Sequence, residues 1–185
     1  MVVVLAAGFW QLTQAGWIPA KAAVAQVLLE HAWQQTQQRG GKIRPWPWAD
    51  TWPVAKLTAP DLGIDRIVLA GDSGAVLAFG PGLSLAGAKP GEPGTVMISG
   101  HRDTHFRFLR QLAPGDRIIL QTRAAEVEYV VRSTQVADSN NYQPLSDVPN
   151  SLLLVTCYPF DAVQAGGPLR YLVHADAATK SHNRF

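Results

Sequence analysis

Three side chains suited to acyl transfer stand at the ends of short β-favouring runs. Cys157, the single cysteine, follows Ser-Leu-Leu-Leu-Val-Thr, His101 follows Thr-Val-Met-Ile-Ser-Gly, and Arg170 begins Arg-Tyr-Leu-Val. A thiol is mostly protonated at neutral pH, so a nucleophilic cysteine needs a basic or cationic neighbour. His101 can be that neighbour and can also protonate a leaving amine. Arg170, which is always charged, can hydrogen-bond the carbonyl oxygen under attack.

Each of these residues also has an ordinary structural interpretation. A lone cysteine is usually a small buried side chain, and an arginine on a strand is usually part of a surface ion pair. His101 can hydrogen-bond Asp103 and only fix a turn, and His105 is a rival partner for the thiol. Spacing alone leaves these alternatives open.

Composition restricts the class of protein. The chain has 185 residues, of which 47% are hydrophobic and 16% charged, so it is long enough for one folded domain and too apolar for disorder. Its net charge is +2 and it has no cluster of basic residues, so we predict no nucleic-acid partner. A single cysteine excludes an internal disulfide.

From residue 54 onwards the sequence is typical of an all-β domain. Gly, Pro and Asp turns separate eight short β-favouring runs, and this spacing predicts a barrel or sandwich of seven or eight strands. A short helix or turn is expected at 106–112. The runs lie at 55–60, 64–71, 75–80, 94–101, 116–122, 127–134, 151–157 and 169–175.

The first 53 residues differ from this pattern. Residues 1–20 carry no charge and predict a membrane anchor, with a buried amphipathic helix as the alternative. Residues 21–53 predict a helix that the Gly-Gly at 40–41 stops, followed by an extended Trp- and Pro-rich segment. We place the catalytic barrel at 54–176 and a flexible tail at 177–185.

Several of these stretches resemble the sortase family. Ile-Ser-Gly-His-Arg-Asp-Thr-His-Phe, Leu-Leu-Leu-Val-Thr-Cys-Tyr-Pro and the arginine thirteen residues after the cysteine are similar to sortase motifs, and the resemblance covers about residues 54–176. Thr156 and Cys157 match the last two positions of the Thr-Leu-x-Thr-Cys signature. The chain most resembles the sortases of Gram-negative bacteria, although Gly-His-Arg-Asp-Thr also occurs in classes C and D.

The resemblance implies a fold and a set of site residues. The expected fold is all-β, a closed eight-stranded barrel with short helices, preceded by an N-terminal hydrophobic helix. The catalytic residues carry over to Cys157, His101 and Arg170. The lesser candidates, for substrate binding, are Thr156, Tyr158, Asp103 and His105.

The resemblance also implies an activity. A cysteine transpeptidase would cleave a C-terminal Leu-Pro-x-Thr-Gly-like sorting signal through a thioacyl-enzyme and pass the protein to an amine. The alternatives are a cysteine protease that uses water and a non-enzymatic, membrane-tethered β-barrel binding module. The Ser-x-Gly-Cys signature of L,D-transpeptidases is absent.

Location and cofactors complete these expectations. The resemblance implies a single-pass anchor in the inner membrane and a catalytic domain in the periplasm. No cofactor is expected, and we predict calcium independence because no loop concentrates carboxylates. The carboxylates considered are Glu92, Asp116, Glu126, Glu128, Asp138 and Asp147.

Overall fold

The β-favouring runs pair edge to edge into a closed barrel in the computed structural model, which describes residues 22–142, 150–162 and 166–178. Around the barrel the strands follow the order β1-β2-β3-β4-β7-β8-β6-β5. The strands are β1 (Pro53–Ala59), β2 (Ile64–Ala70), β3 (Gly82–Leu83), β4 (Thr95–Ser99), β5 (Arg117–Gln121), β6 (Glu126–Asp138), β7 (Ser151–Cys157) and β8 (Leu169–Ala177). The predicted all-β, eight-stranded barrel is therefore confirmed.

Alternation of inward and outward side chains fills the barrel. Along β1 every second residue is buried, and its Ala55, Leu57 and Ala59 face the core. The segment after β4 adds Phe106 to this core, and the ring is fully buried. A 3-10 turn at Arg107–Gln111 follows, where the sequence predicts a short helix or turn.

Two strand pairings set the positions of the candidate site residues. Strand β4 runs parallel to β7 with Ser99 opposite Val155. Strand β7 runs antiparallel to β8, so Cys157 at the end of β7 lies opposite Arg170 near the start of β8. The ends of β4 and β7 and the start of β8 therefore meet at one rim of the barrel.

A helix covers the outside of the barrel. Helix α1 is described over 22–39 and ends before Gly40 and Gly41, both of which have positive φ angles, as the sequence predicts. Its buried residues Leu29 and Trp33 pack with side chains from β2 and the segment that follows it, namely Ile67, Leu69 and Val76. The Trp- and Pro-rich segment after α1 has no helix or strand through residue 52.

One predicted strand is wrong. Residues Gly74–Leu77 form a single helical turn, α2, because the Ser73 side chain accepts a hydrogen bond from the Val76 N–H and caps the turn. The strand that takes its place in the barrel is β3, which is only two residues long. A Cβ at Gly82 would lie 2.2 Å from the Gly71 carbonyl oxygen, so glycine is required for this pairing.

Parts of the predicted organisation lie outside the described residues. These are the anchor at 1–20 and most of the tail, whereas β8 continues to Ala177, one residue past the predicted end of the barrel. Within the described ranges, no helix combines the length and apolar character needed to cross a membrane.

Candidate active site

Cys157 lies at the rim of the barrel. It is the last residue of β7, is half-buried and is a free thiol. The next residue continues the contact with β8, because the Tyr158 N–H donates to the Leu169 carbonyl at 3.0 Å. This pairing holds Cys157 directly across from Arg170. A strand end is a rigid place from which to present a nucleophile.

His101 approaches the same rim from β4. The Gly100 N–H donates to the Val155 carbonyl at 3.0 Å, and the Thr156 hydroxyl donates to the Gly100 carbonyl at 2.7 Å. These bonds continue the β4–β7 pairing to the residue before His101. The backbone of His101 therefore begins beside that of Cys157, with its side chain exposed.

Arg170 completes the group from β8. Its Nη1 donates to the carbonyls of Gly167 at 2.7 Å and Leu169 at 2.9 Å, which fixes the guanidinium at the rim. Among the described residues, none accepts a hydrogen bond from Nε or Nη2 of Arg170. Those nitrogens carry the donors that a substrate carbonyl would need.

An apolar recess adjoins the arginine. Its volume is about 170 Å³. Strand residues alternate between the two faces of a sheet, so the outward-facing residues of β4, β7 and β8 combine to line one groove. The lining includes Met97, Leu153, Val155 and Leu172 beside Arg170. This surface suits the apolar part of an extended peptide.

Two of the lesser candidates support the rim from within. Thr156 is buried, with only 2% of its surface exposed, and its hydroxyl binds the backbone before His101. Tyr158 stacks on Tyr171, with ring centroids 6.2 Å apart and an angle of 19° between the planes. Tyr158 also meets the edge of Phe160. Thr156 thus holds the backbone at the rim together, and Tyr158 belongs to an aromatic group next to Cys157.

The other two candidates contact groups away from the thiol. Asp103 accepts from the Nε of Arg102 at 3.2 Å. His105 is half-buried, and burial lowers its pKa; a hydrogen bond with the Ala78 backbone opposes this shift, and the charges of Arg66 and His101 add to it. The lowered pKa favours the neutral form of His105, which is bound to the α2 region.

Sequence reasoning missed Arg102. The residue is 6% exposed, and its guanidinium donates to the carbonyls of Pro159 and Ala162, each at 2.6 Å. Arginine is rarely buried, so its sequence position suggested an exposed turn. The only available signal was its place directly after His101 in Gly-His-Arg-Asp-Thr.

A metal centre has no obvious ligand set here. In the part of the chain that the structure describes, no three His, Cys, Asp or Glu residues come together in a way that could hold an ion. Calcium independence stays a prediction.

Comparison with known proteins gives the family. The sequence model of the Sortase domain matches residues 57–178. Sortase D of Bacillus subtilis (strain 168) is 30% identical over 125 residues, which are 66% of this chain and 63% of that protein. The chain thus spans less than two thirds of that relative's length.

Solved structures agree on the fold. The Clostridium perfringens Sortase D5 transpeptidase has a TM-score of 0.67 at 22% identity, covering 85% of this chain and 99% of that one. Sortase A from Corynebacterium diphtheriae has a TM-score of 0.63 at 23% identity, covering 84% of this chain and 70% of that one. The match to the Sortase domain model, which covers more than half of the chain, shows that the chain belongs to the sortase family.

Proposed function

We propose that this protein is a cysteine transpeptidase that cleaves a C-terminal sorting signal of the Leu-Pro-x-Thr-Gly type and transfers the substrate protein to an amine. The observation that carries the proposal is the meeting of Cys157, His101 and Arg170 at one rim of the barrel. Membership of the sortase family supports the same reaction.

In the first step the Cys157 thiolate attacks the carbonyl carbon between Thr and Gly of the signal. A carbon–sulfur bond forms, the carbon–nitrogen bond breaks, and His101 gives its proton to the departing Gly amine. Arg170 donates hydrogen bonds to the oxygen that becomes negative in the tetrahedral intermediate. The product is a thioacyl-enzyme.

In the second step an amine replaces the sulfur. Its nitrogen attacks the thioester carbonyl, His101 takes the proton that the nitrogen loses, and the thiolate leaves as a new amide forms. No ATP is needed, because the thioester keeps the acyl group activated. Selection of an amine over water requires a site that positions the amine.

The apolar recess supports a substrate orientation. Leu and Pro, which precede the scissile bond, would occupy the groove formed by Met97, Leu153, Val155 and Leu172. This orientation would place the Thr carbonyl between Cys157 and Arg170. An aliphatic side chain and a proline gain affinity there from apolar burial.

We also propose an inner-membrane location with the catalytic domain in the periplasm of a Gram-negative bacterium. The support is the uncharged segment 1–20 and the likeness of the motifs to that group of sortases. The mechanism above requires no metal ion or organic cofactor.

The test uses the full chain in detergent with a Leu-Pro-x-Thr-Gly-type peptide library and a panel of amines. Intact-protein mass spectrometry looks for an acyl adduct on Cys157, and product analysis shows whether an amine or water removes it. Cys157→Ala should form no adduct, and His101→Ala should form it far more slowly.

The outcomes separate the candidate functions. An adduct resolved by an amine supports the transpeptidase and identifies its acceptor. An adduct resolved only by water, with every amine tried, favours the cysteine protease. No adduct together with no labelling of Cys157 by iodoacetamide would leave the binding module.

A further inference from the structure

A buried cation connects the segment that carries His101 with the segment that follows Cys157. Arg102 directly follows His101, and its guanidinium donates from Nη1 to the Pro159 carbonyl and from Nη2 to the Ala162 carbonyl, both at 2.6 Å. Those carbonyls lie two and five residues after Cys157. One side chain therefore bridges the segment after β4 and the segment after β7.

The charge of Arg102 is compensated by its surroundings. Burying a cation is costly unless its donors are satisfied, and hydrogen bonds from a charged donor are stronger than neutral ones. Two backbone carbonyls and the Asp103 carboxylate, 3.2 Å from Nε, supply the acceptors. The planar fork of a guanidinium can hold two separate carbonyls at once, whereas a lysine ammonium is a point charge on a flexible stem.

Backbone hydrogen bonds already fix the segment around His101, so the bridge from Arg102 can hold the segment after Cys157 against a rigid support. The Thr156 hydroxyl binds the Gly100 carbonyl before His101, and the His101 carbonyl accepts from the Phe106 N–H at 2.9 Å. These bonds fix the backbone on either side of His101. After Cys157 the chain leaves β7: the Tyr158 N–H still donates to the Leu169 carbonyl, and beyond it Arg102 holds the chain at two points.

We propose that Arg102 is a positioning residue, which fixes His101 and the segment after Cys157 relative to each other so that proton transfer and thiolate attack occur in one geometry. The inference rests on the proposed function for its catalytic readout. Catalysis is sensitive to such alignment, since a displacement of about 1 Å can cost roughly 10²-fold in rate.

The test compares the full-length wild type with Arg102→Met, Arg102→Gln and Arg102→Lys. The kcat of each variant is divided by the fraction of Cys157 that is reactive. We expect Arg102→Met to lower this kcat about 10²-fold, the size of loss that a displaced catalytic group causes. KM should change by less than about threefold, because the apolar recess is untouched. Arg102→Lys should recover only part of the rate, because an ammonium cannot reproduce the guanidinium fork.

A second readout needs no substrate. The rate at which iodoacetamide alkylates Cys157 is measured against pH, because the thiolate is the reactive form and a correctly placed imidazole assists its formation. We expect the profile of Arg102→Met to move towards that of His101→Ala. A lack of peptide cleavage by the wild type would count against the proposed function, whereas an unchanged alkylation profile would count against the positioning role.

Arg110 offers a matched control. Its guanidinium approaches the same loop, 3.8 Å from the Asp161 carboxylate, but both side chains are exposed. Exposed ion pairs contribute about 0–1 kcal/mol. Arg110→Met should therefore keep wild-type kcat and the wild-type alkylation profile.

Three results would overturn the proposal. The first is a folded Arg102→Met or Arg102→Gln variant with lowered Tm but unchanged kcat per thiol and alkylation profile. The second is full activity in Arg102→Lys. The third is failure of all three variants to fold, which would make Arg102 a folding determinant rather than a positioning residue.

Discussion

The role proposed for Arg170 depends on the shape of its side chain as well as on its charge. Its Nη1 is held by the carbonyls of Gly167 and Leu169, so the rest of the guanidinium has a fixed direction at the rim. We predict that Arg170→Lys lowers kcat/KM by about 10²–10³-fold, the loss seen when one oxyanion donor is removed. Steady-state transpeptidation measures this, with iodoacetamide labelling as proof that Cys157 is still presented. Near-normal activity would contradict the oxyanion role.

The half-buried His105 makes the stability of the protein depend on pH in the acid range. Burial lowers its pKa in the folded state below the ordinary value of 6.5. The unfolded chain therefore binds more protons between the folded pKa and 6.5, and stability falls as the pH drops through that window. We predict that the stability advantage of the wild type over His105→Gln is larger at pH 7.5 than at pH 5.

Urea unfolding at the two pH values measures this difference. His31→Gln is a suitable control, because His31 lies on the exposed face of α1. An advantage of the wild type that is equal at both pH values would contradict the shifted pKa of His105.

At the scale of elements, the end of β4 determines how His101 leaves the barrel. A Cβ on Gly100 would lie 2.7 Å from the Phe106 ring, which is fully buried and cannot move aside. We predict that Gly100→Ala displaces the His101 segment, lowers kcat/KM by roughly 10²-fold and costs about 1–3 kcal/mol of stability. Gly74→Ala is the control, since a Cβ there meets nothing within 4 Å. Equal activity of the two variants would contradict this prediction.

The same elements show what the sequence could predict. Strands β4 and β7 were predictable, because buried strands carry continuous apolar runs such as Leu152–Leu154. Residues Gly74–Leu77 were not, because a four-residue apolar stretch fits a strand or a helical turn, and Ser73 decides between them. The bridge from Arg102 was also hidden, since it joins segments 57 residues apart in the chain.

At the scale of the whole molecule, the boundary drawn at residue 54 separates parts that pack together. Leu29 and Trp33 of α1 form a second apolar cluster with Ile67, Leu69 and Val76. The Gln26 side chain also donates to the Phe79 carbonyl at 2.8 Å. The apolar residues of this segment predicted a helix, but Val24 and Val27 among them are exposed, and the surface that receives Leu29 and Trp33 comes from β2 and the α2 region. Local patterns contain no information on that pairing.

This packing predicts that α1 and the barrel unfold together. Leu29 is 1% exposed, and truncating a buried leucine to alanine costs about 2–5 kcal/mol. We therefore expect Leu29→Ala to lower the urea midpoint of the full chain in mild detergent. Tryptophan fluorescence, from indoles that all lie within residues 10–52, and hydrogen exchange of the barrel strands, followed by mass spectrometry in the same urea series, should shift equally. Val27→Ala, at a position that is 69% exposed, should change stability by less than about 0.5 kcal/mol. A shift in fluorescence alone would mean that α1 unfolds independently of the barrel.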